Sequence, residues 1–366
     1  MTADEFEAAG LYDPTSPRAA ERLELLEWLA EQGISVEEIR ARVAVSEERL
    51  YDMAGTRALR TGVKYSLRDV MAAAGVDAAT MEEMRRAVGY VEVDEDVPVF
   101  NEQDLEGFHA FVLAQQLFSV ESVVAFTRTL GSSLARIADA ANSMFIADVE
   151  AELVERGASE LERAQANLDA VRLLDGLPPS IEAIFRIHMQ QAIERSRRAR
   201  GKLALESGTD LAIMAIGFVD LSGYTSLSRA LGARDLSTLV ARFEAIASDA
   251  ALAHDGRVVK LIGDAVMYAS VEPAEAVGVA RDLVGEFAPD PEVRPHGGIA
   301  FGEVLARGGD YYGPVVNLAA RLAEVAIPGE VLVTAEIAQS VEGVEPAGRR
   351  MLKGFDQPVE LFSFTG

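Results

Sequence analysis

"VVKLIGDAVMY", residues 258–268, is an apolar, β-branched run broken by two charges four positions apart, Lys260 and Asp264. Both flanks have strand composition and Gly263-Asp264 is turn chemistry, so the stretch predicts a β-hairpin. Working outward, strands alternate with helices. "LAIMAIGFVDL" (211–221) reads as a strand and "ARDLSTLVARFEAIASDAALAHDG" (233–256) as a helix upstream of the hairpin. Downstream come helix "AEAVGVARDLVGEF", the strand-rich "PHGGIAFGEVLARGGDYYG", helix "PVVNLAARLAEVA", strand "EVLVT" and a closing "MLKGFDQPVELFSF". Residues 207–366 are therefore expected to form an α/β or α+β domain.

Before it the period changes. From Ala19 to Arg200, segments such as "AAERLELLEWLAEQGI" repeat apolar residues every three or four positions, and strand signals are nearly absent. Residues 1–200 are read as an all-α domain, giving an α+β protein of two domains. Gly33, Gly75, Gly89, Gly131 and the Leu177-Pro178-Pro179-Ser180 stretch are expected to stop helices, with Ser180 as an N-cap. The joint "ERSRRARGKLALESGTD" (194–210) is charged, then polar.

Composition limits the partners. At 366 residues, two domains are the best prior. The net charge of −25 divides as −15 up to Arg200 and −10 after it, so neither half offers the cationic surface with which binding to nucleic acid or anionic lipid begins. With no cysteine there is no disulfide framework or thiolate metal site. "MTADEFEAAGLYDPTS" lacks the basic flank and apolar stretch of a signal peptide, and no apolar run approaches the roughly 18 residues of a membrane span. A cytoplasmic location is expected.

Asp220 closes one apolar strand and Asp264 lies in the hairpin turn. Each alone reads as a turn-capping aspartate. Together they suit a divalent cation, which takes a few carboxylate and carbonyl oxygens and leaves room for water and phosphate. The turn "DLSGYTS" after Asp220 lets backbone amides approach a polyphosphate, which makes Gly223, Tyr224 and Thr225 candidate substrate contacts.

"GFVDLSGYTSLS", "VVKLIGDAVM", "GDYYGPVVNLAARL" and "LKGFDQPVELFS" resemble, in order and spacing, the blocks of the class III nucleotidyl cyclases, over residues 210–364. The resemblance implies a ferredoxin-like catalytic domain that cyclises a nucleoside triphosphate and releases pyrophosphate. It implies that Asp220, Asp264 and the Leu221 carbonyl hold two ions of Mg²⁺ or Mn²⁺ per site, that Lys260 and Asp310 read the base, that Asn317 orients the ribose, and that Arg321 stabilises charge at the α-phosphorus. It also implies a head-to-tail homodimer whose two sites each draw on both chains. Lys260 as donor and Asp310 as acceptor complement N1 and the 6-amino group of adenine; guanine inverts that pattern, so ATP is the expected substrate. Asn317 and Arg321, four apart, share a helix face; the bland alternative is a surface Arg321 paired with Glu324 or Glu330. The short segment from Gly302 to Asp310 resembles the compact actinobacterial subclass.

The helical half resembles, through "LLEWLAEQGISVEEIRA" and "MRRAVG", the regulatory domain of mycobacterial pH-responsive soluble adenylyl cyclases. That implies autoinhibition, with residues 181–202 as the segment that changes conformation. His188 lies there and is the candidate proton sensor, since an imidazole titrates in mildly acidic conditions. "FHAFVLAQQLFSVESVVAF" suggests a fatty acid or other apolar effector between helices, although core packing explains the same residues. Two rival readings are a catalytically silent nucleotide-binding sensor and a DNA-binding regulator acting through the helix-turn-helix outline of Tyr65–Tyr90. The latter stretch carries three basic and four acidic residues, which speaks against DNA.

Overall fold

The computed structural model describes residues 2–45, 47–200, 210–223, 231–287 and 293–365. Its chain divides into two units, Met1–Phe185 and Arg186–Gly366. The helices of the first half are α1 (Ala3–Ala8), α2 (Ala19–Glu31), α3 (Val36–Val45), α4 (Met53–Leu59), α5 (Leu67–Ala74), α6 (Ala78–Val88), α7 (Glu102–Ala114), α8 (Val120–Phe145), α9 (Ala151–Glu155), α10 (Glu160–Leu173) and α11 (Leu177–Arg200). Local chemistry sets many of their ends: Thr2, Ser66, Asn101 and Ser159 each close a capping box, and Gly75 and Gly89 end α5 and α6 in the left-handed conformation.

The helical unit has two cores. Phe6, Leu25, Leu26, Leu29, Ile39 and Leu168 form one; Val70, Met81, Met84, Phe108, Phe111 and Val124 form the other. Each such side chain, fully buried, contributes about 1.5–3 kcal/mol. In the apolar stretch read as a possible effector site, Phe108, Phe111, Val123 and Val124 fill the second core, whereas Leu117 and Phe118 are exposed. The α5–α6 pair does have a helix-turn-helix outline, but Glu82 binds both Arg85 and Arg86, which holds its carboxyl down at about 2.

Two expected helix stops are corrected. Gly131 lies inside α8, where a Cβ would come within 2.4 Å of the Val88 carbonyl oxygen; the glycine permits a close helix crossing and ends nothing. Ser180 is not an N-cap. Helix α11 starts at Leu177, and Pro178 and Pro179 occupy its first turn, where amide hydrogens have no intrahelical acceptor to lose.

The second unit contains β1 (Leu211–Ser222), α12 (Ala233–Ala253), β2 (Arg257–Ile262), β3 (Ala265–Ser270), α13 (Pro273–Glu286), β4 (Arg294–Arg307), β5 (Asp310–Tyr312), α14 (Pro314–Val325), β6 (Glu330–Thr334), α15 (Ala335–Ala338), β7 (Glu345–Arg350) and β8 (Val359–Thr365). The first four long strands lie in the order β2-β3-β1-β4, all antiparallel, with α12 and α13 as crossovers. That is the βαββαβ ferredoxin-like arrangement. β6 then adds to β4 in parallel, followed by β8 and β7, while β5 folds back on β4. Strand β1 is buried on both faces, which explains its unbroken apolar run. Ala215, Val219 and Leu221 meet Phe243 and Leu283 of α12 and α13; Met214 and Ile216 share a cluster with Ala319 of α14 and Ala199. Ala199 is the penultimate residue of α11, and its neighbour Arg198 pairs with Glu275 in the first turn of α13. Among the described residues no helix is long and apolar enough to cross a membrane.

Candidate active site

Asp220 owes its place to strand alternation. Leu221 is 2 % exposed and anchors the end of β1 in the core, so Asp220 points to the opposite face. The Leu221 amide donates to the Asp264 carbonyl at 3.2 Å, which fastens the β2–β3 turn to the end of β1 and brings the two aspartates side by side. Asp220 Oδ1 is buried with no hydrogen-bond partner among the described residues. Burial first, and the negative charge of Asp264 second, push the Asp220 carboxyl up to about 6. Paired carboxylates with an unmatched buried oxygen suit a cation. Among the described residues no cluster of three or more His, Cys, Asp or Glu side chains is set to hold a metal, so a cation here would rely on two carboxylates and backbone oxygen, with water or substrate in its other positions.

Lys260 is aimed by a β-bulge. The register runs Val258 opposite Tyr268 and then Lys260 opposite Met267, leaving Val259 as the extra residue. In regular pairing Lys260 would face Val266 and enter the core beneath α12 and α13. The bulge turns it to the other face, where Nζ lies 2.5 Å from Asp310 Oδ2. Asp310 Oδ1 also accepts from the Tyr311 amide at 2.8 Å, and Arg257 fixes the preceding turn through the Gly309 carbonyl at 2.8 Å.

Helix α14 carries Asn317 and Arg321. Its depth is set at Gly298 of β4, where a Cβ would fall 2.4 Å from the Ala323 amide nitrogen, so backbone packs on backbone. Ala319, Leu322 and Ala323 face inward, and Asn317 is exposed. Arg321 forms an ion pair with Glu324 one turn on, the pairing that the sequence offers as its bland alternative.

The structure thus brings together Asp220, Asp264 and Leu221, brings together Lys260 and Asp310, and puts Asn317 one turn from Arg321 on α14. Among the described residues no hydrogen bond or ion pair joins one of these sets to another, and the side chains of Arg321 and Asp310 reach outside them only to their neighbours Glu324 and Tyr311. Gly223 sits in the turn after β1; Tyr224 and Thr225 lie outside the described residues. His188, on α11, is exposed, with Nδ1 3.2 Å from Gln191 Oε1. One neighbour escaped the sequence reading. His296 on β4 lies directly opposite Asp220, with Nδ1 2.9 Å from Ser222 Oγ, and burial lowers its pKa against the opposing pull of Asp264. Only the β1–β4 pairing, 76 residues apart in sequence, reveals it.

Residues 5–193 match the family model described as an adenylate cyclase regulatory domain. An uncharacterized protein of Mycobacterium tuberculosis is 34 % identical, covering 98 % of this chain and 93 % of its own length. An adenylate cyclase of Glutamicibacter nicotianae is 33 % identical over 83 % of this chain and 76 % of the relative. A protein of Mycobacterium tuberculosis named as a pH-sensitive adenylate cyclase is 31 % identical over 94 % of this chain and 87 % of the relative. A regulatory-domain match over the helical half, and named cyclases aligned through both halves, place the chain in the adenylate cyclase family.

Proposed function

We propose that this adenylate cyclase works as a head-to-tail homodimer in which the carboxylates of one chain face the base-reading and arginine-bearing surfaces of the other. The supporting observation is the Asp220 carboxylate, with one oxygen buried and unmatched beside Asp264. Those residues fit a divalent cation, and Asp220, Asp264 and the Leu221 carbonyl would hold two ions of Mg²⁺ or Mn²⁺. The chemistry supplied by the bound ions is acidification of the ribose 3′-hydroxyl and neutralisation of triphosphate charge.

The remaining roles belong to side chains. Lys260 donates to adenine N1 and Asp310 accepts from the 6-amino group; their pairing at 2.5 Å holds both in place before nucleotide arrives. GTP would set like partners against each of them, which disfavours it. Asn317 orients the ribose. Arg321 exchanges Glu324 for the α-phosphate, where negative charge grows in the transition state. Among the described residues Lys260, Asp310, Asn317 and Arg321 make no bond to the carboxylate pair, which supports a site completed by a partner chain.

The helical half is the regulator, restraining catalysis through residues 181–202, and protons acting at His188 are the proposed signal. A relative named as pH-sensitive, aligned along nearly the whole chain, supports this reading.

The decisive experiment mixes Asp220→Ala subunits with Arg321→Ala subunits, each inactive alone. Restored cyclic AMP formation, at up to about a quarter of the parental rate per dimer site if exchange is random, is the expected result. Two inactive variants that stay inactive after demonstrated subunit exchange would sink the shared-site reading.

A further inference from the structure

We infer that His296 is a positioning residue for the cation-holding end of β1, acting through Ser222; this rests on Asp220 and Asp264 being cation ligands. The argument is one of mounting. In the antiparallel β1–β4 pairing Asp220 lies opposite His296 and Ser222 opposite Arg294. Directly opposed residues project from the same face, and so do residues two apart, so Asp220, Ser222 and His296 form a patch on one side of the sheet. The imidazole Nδ1 lies 2.9 Å from Ser222 Oγ.

The two strands differ in how firmly they are held at this level. β4 is hydrogen-bonded on both flanks, to β1 and, from Gly297, to Val331 of β6; the Pro295 carbonyl accepts from the Gly329 amide at 2.9 Å. β1 ends at Ser222 and turns out of the sheet at Gly223. On the other flank of β1, its pairing with β3 stops at Asp220 opposite Ala265, and the Leu221 amide reaches the turn only through the Asp264 carbonyl. The His296–Ser222 bond therefore ties the last residue of β1 to the better-supported strand. Between that tie and the core lie the Asp220 carboxylate and the Leu221 carbonyl. Releasing the tie leaves the β1–β4 backbone pairing in place but removes the side-chain link at its last residue, which loosens the aim of both without removing either.

Partners of this kind, which orient ligands without touching the ion, typically change metal affinity by about 10–100-fold. The test uses the full chain without nucleotide and follows Mn²⁺ binding by electron paramagnetic resonance, reading the tightest class of ions. His296→Ala and Ser222→Ala are each expected to weaken that class by about tenfold, and the double variant by no more than either single one, because both remove the same bond. His296→Asn, whose amide can occupy the place of Nδ1, should recover to within about threefold of the parent. Asp220→Ala should abolish the class. If Asp220→Ala abolishes it while His296→Ala and Ser222→Ala bind as the parent does, the positioning role is wrong and the cation site stands. If Asp220→Ala binds like the parent, the cation site itself is wrong and the positioning role goes with it. Should His296→Ala not fold, Ser222→Ala decides alone: a tenfold loss supports the role and parental affinity overturns it.

Discussion

Replacing Asp220 by Asn in cation-free protein should make the sheet more stable, in a pH-dependent way. The Asp220 carboxyl titrates at about 6 in the folded chain against 3.8 ordinarily, a gap that corresponds to about 3 kcal/mol. A carboxyl raised in the folded state binds its proton more readily folded than unfolded. Its unfavourable contribution therefore grows as pH rises from about 4 to about 6 and is constant above that. The gain on removing it should be up to about 3 kcal/mol at pH 8, roughly half that at pH 5 and less than about 1 kcal/mol at pH 4. The value at pH 8 is a ceiling, because a half-buried carboxylate is partly screened by water. Global fluorescence is the wrong probe, since the single tryptophan, Trp28, sits in α2 of the other unit. Amide hydrogen exchange of the β1 peptide, compared between parent and variant at each pH with EDTA present, reports the local opening free energy directly. A variant that is no more stable than the parent at pH 8, or equally stabilised at pH 4 and pH 8, would refute the electrostatic account of this carboxylate pair.

Three further outcomes follow from features already described. Gly131→Ala should destabilise the helical unit by about 2 kcal/mol or more despite the better helix propensity of alanine, because the Val88 carbonyl occupies the space of the new Cβ; urea unfolding followed by Trp28 fluorescence measures it. Lys260→Ala should reduce the preference for ATP over GTP in kcat/KM by at least about tenfold, as Asp310 loses the partner that fixes it; competing-substrate assays read the ratio. His188→Ala should flatten the pH–activity profile of the full chain in the mildly acidic range, and an unchanged profile would remove this histidine as the sensor.

The fold was legible where one signal dominated. The apolar run of β1, the Gly263-Asp264 turn and the three- and four-residue spacing of α12, α13 and α14 each admit few alternatives and point to a domain of mixed strands and helices; the ferredoxin-like arrangement was implied by the resemblance to the class III cyclases. Strand β7 had no such signal: "EPAGRR" is polar, contains Pro and Gly, and lies at the sheet edge, where charge and proline are tolerated. Gly131 misled because a glycine that admits a neighbouring backbone and one that ends a helix look identical in sequence. At the candidate site, residue types and spacing pointed to Asp220 and Asp264, and the resemblance to the class III cyclases added Lys260 and Asp310. The bulge at Val259 was hidden, since a register shift exists only relative to a partner strand. The same holds for His296, which is remote in sequence from the carboxylate it faces.

The last turn of α11 bears on how the enzyme should be dissected. Ala199 is 9 % exposed among residues of β1, β3 and β4, and Arg198 neutralises Glu275. A catalytic fragment begun near Ser207 would lack both, so its sheet would carry a bare apolar notch and Glu275 would keep only its capping bond from the Glu272 amide. Low turnover from so short a piece would then report damage to its foundation, and would be mistaken for a requirement for the helical half. A fragment begun at Arg186 keeps that foundation intact and makes the comparison with the full chain a fair measure of restraint.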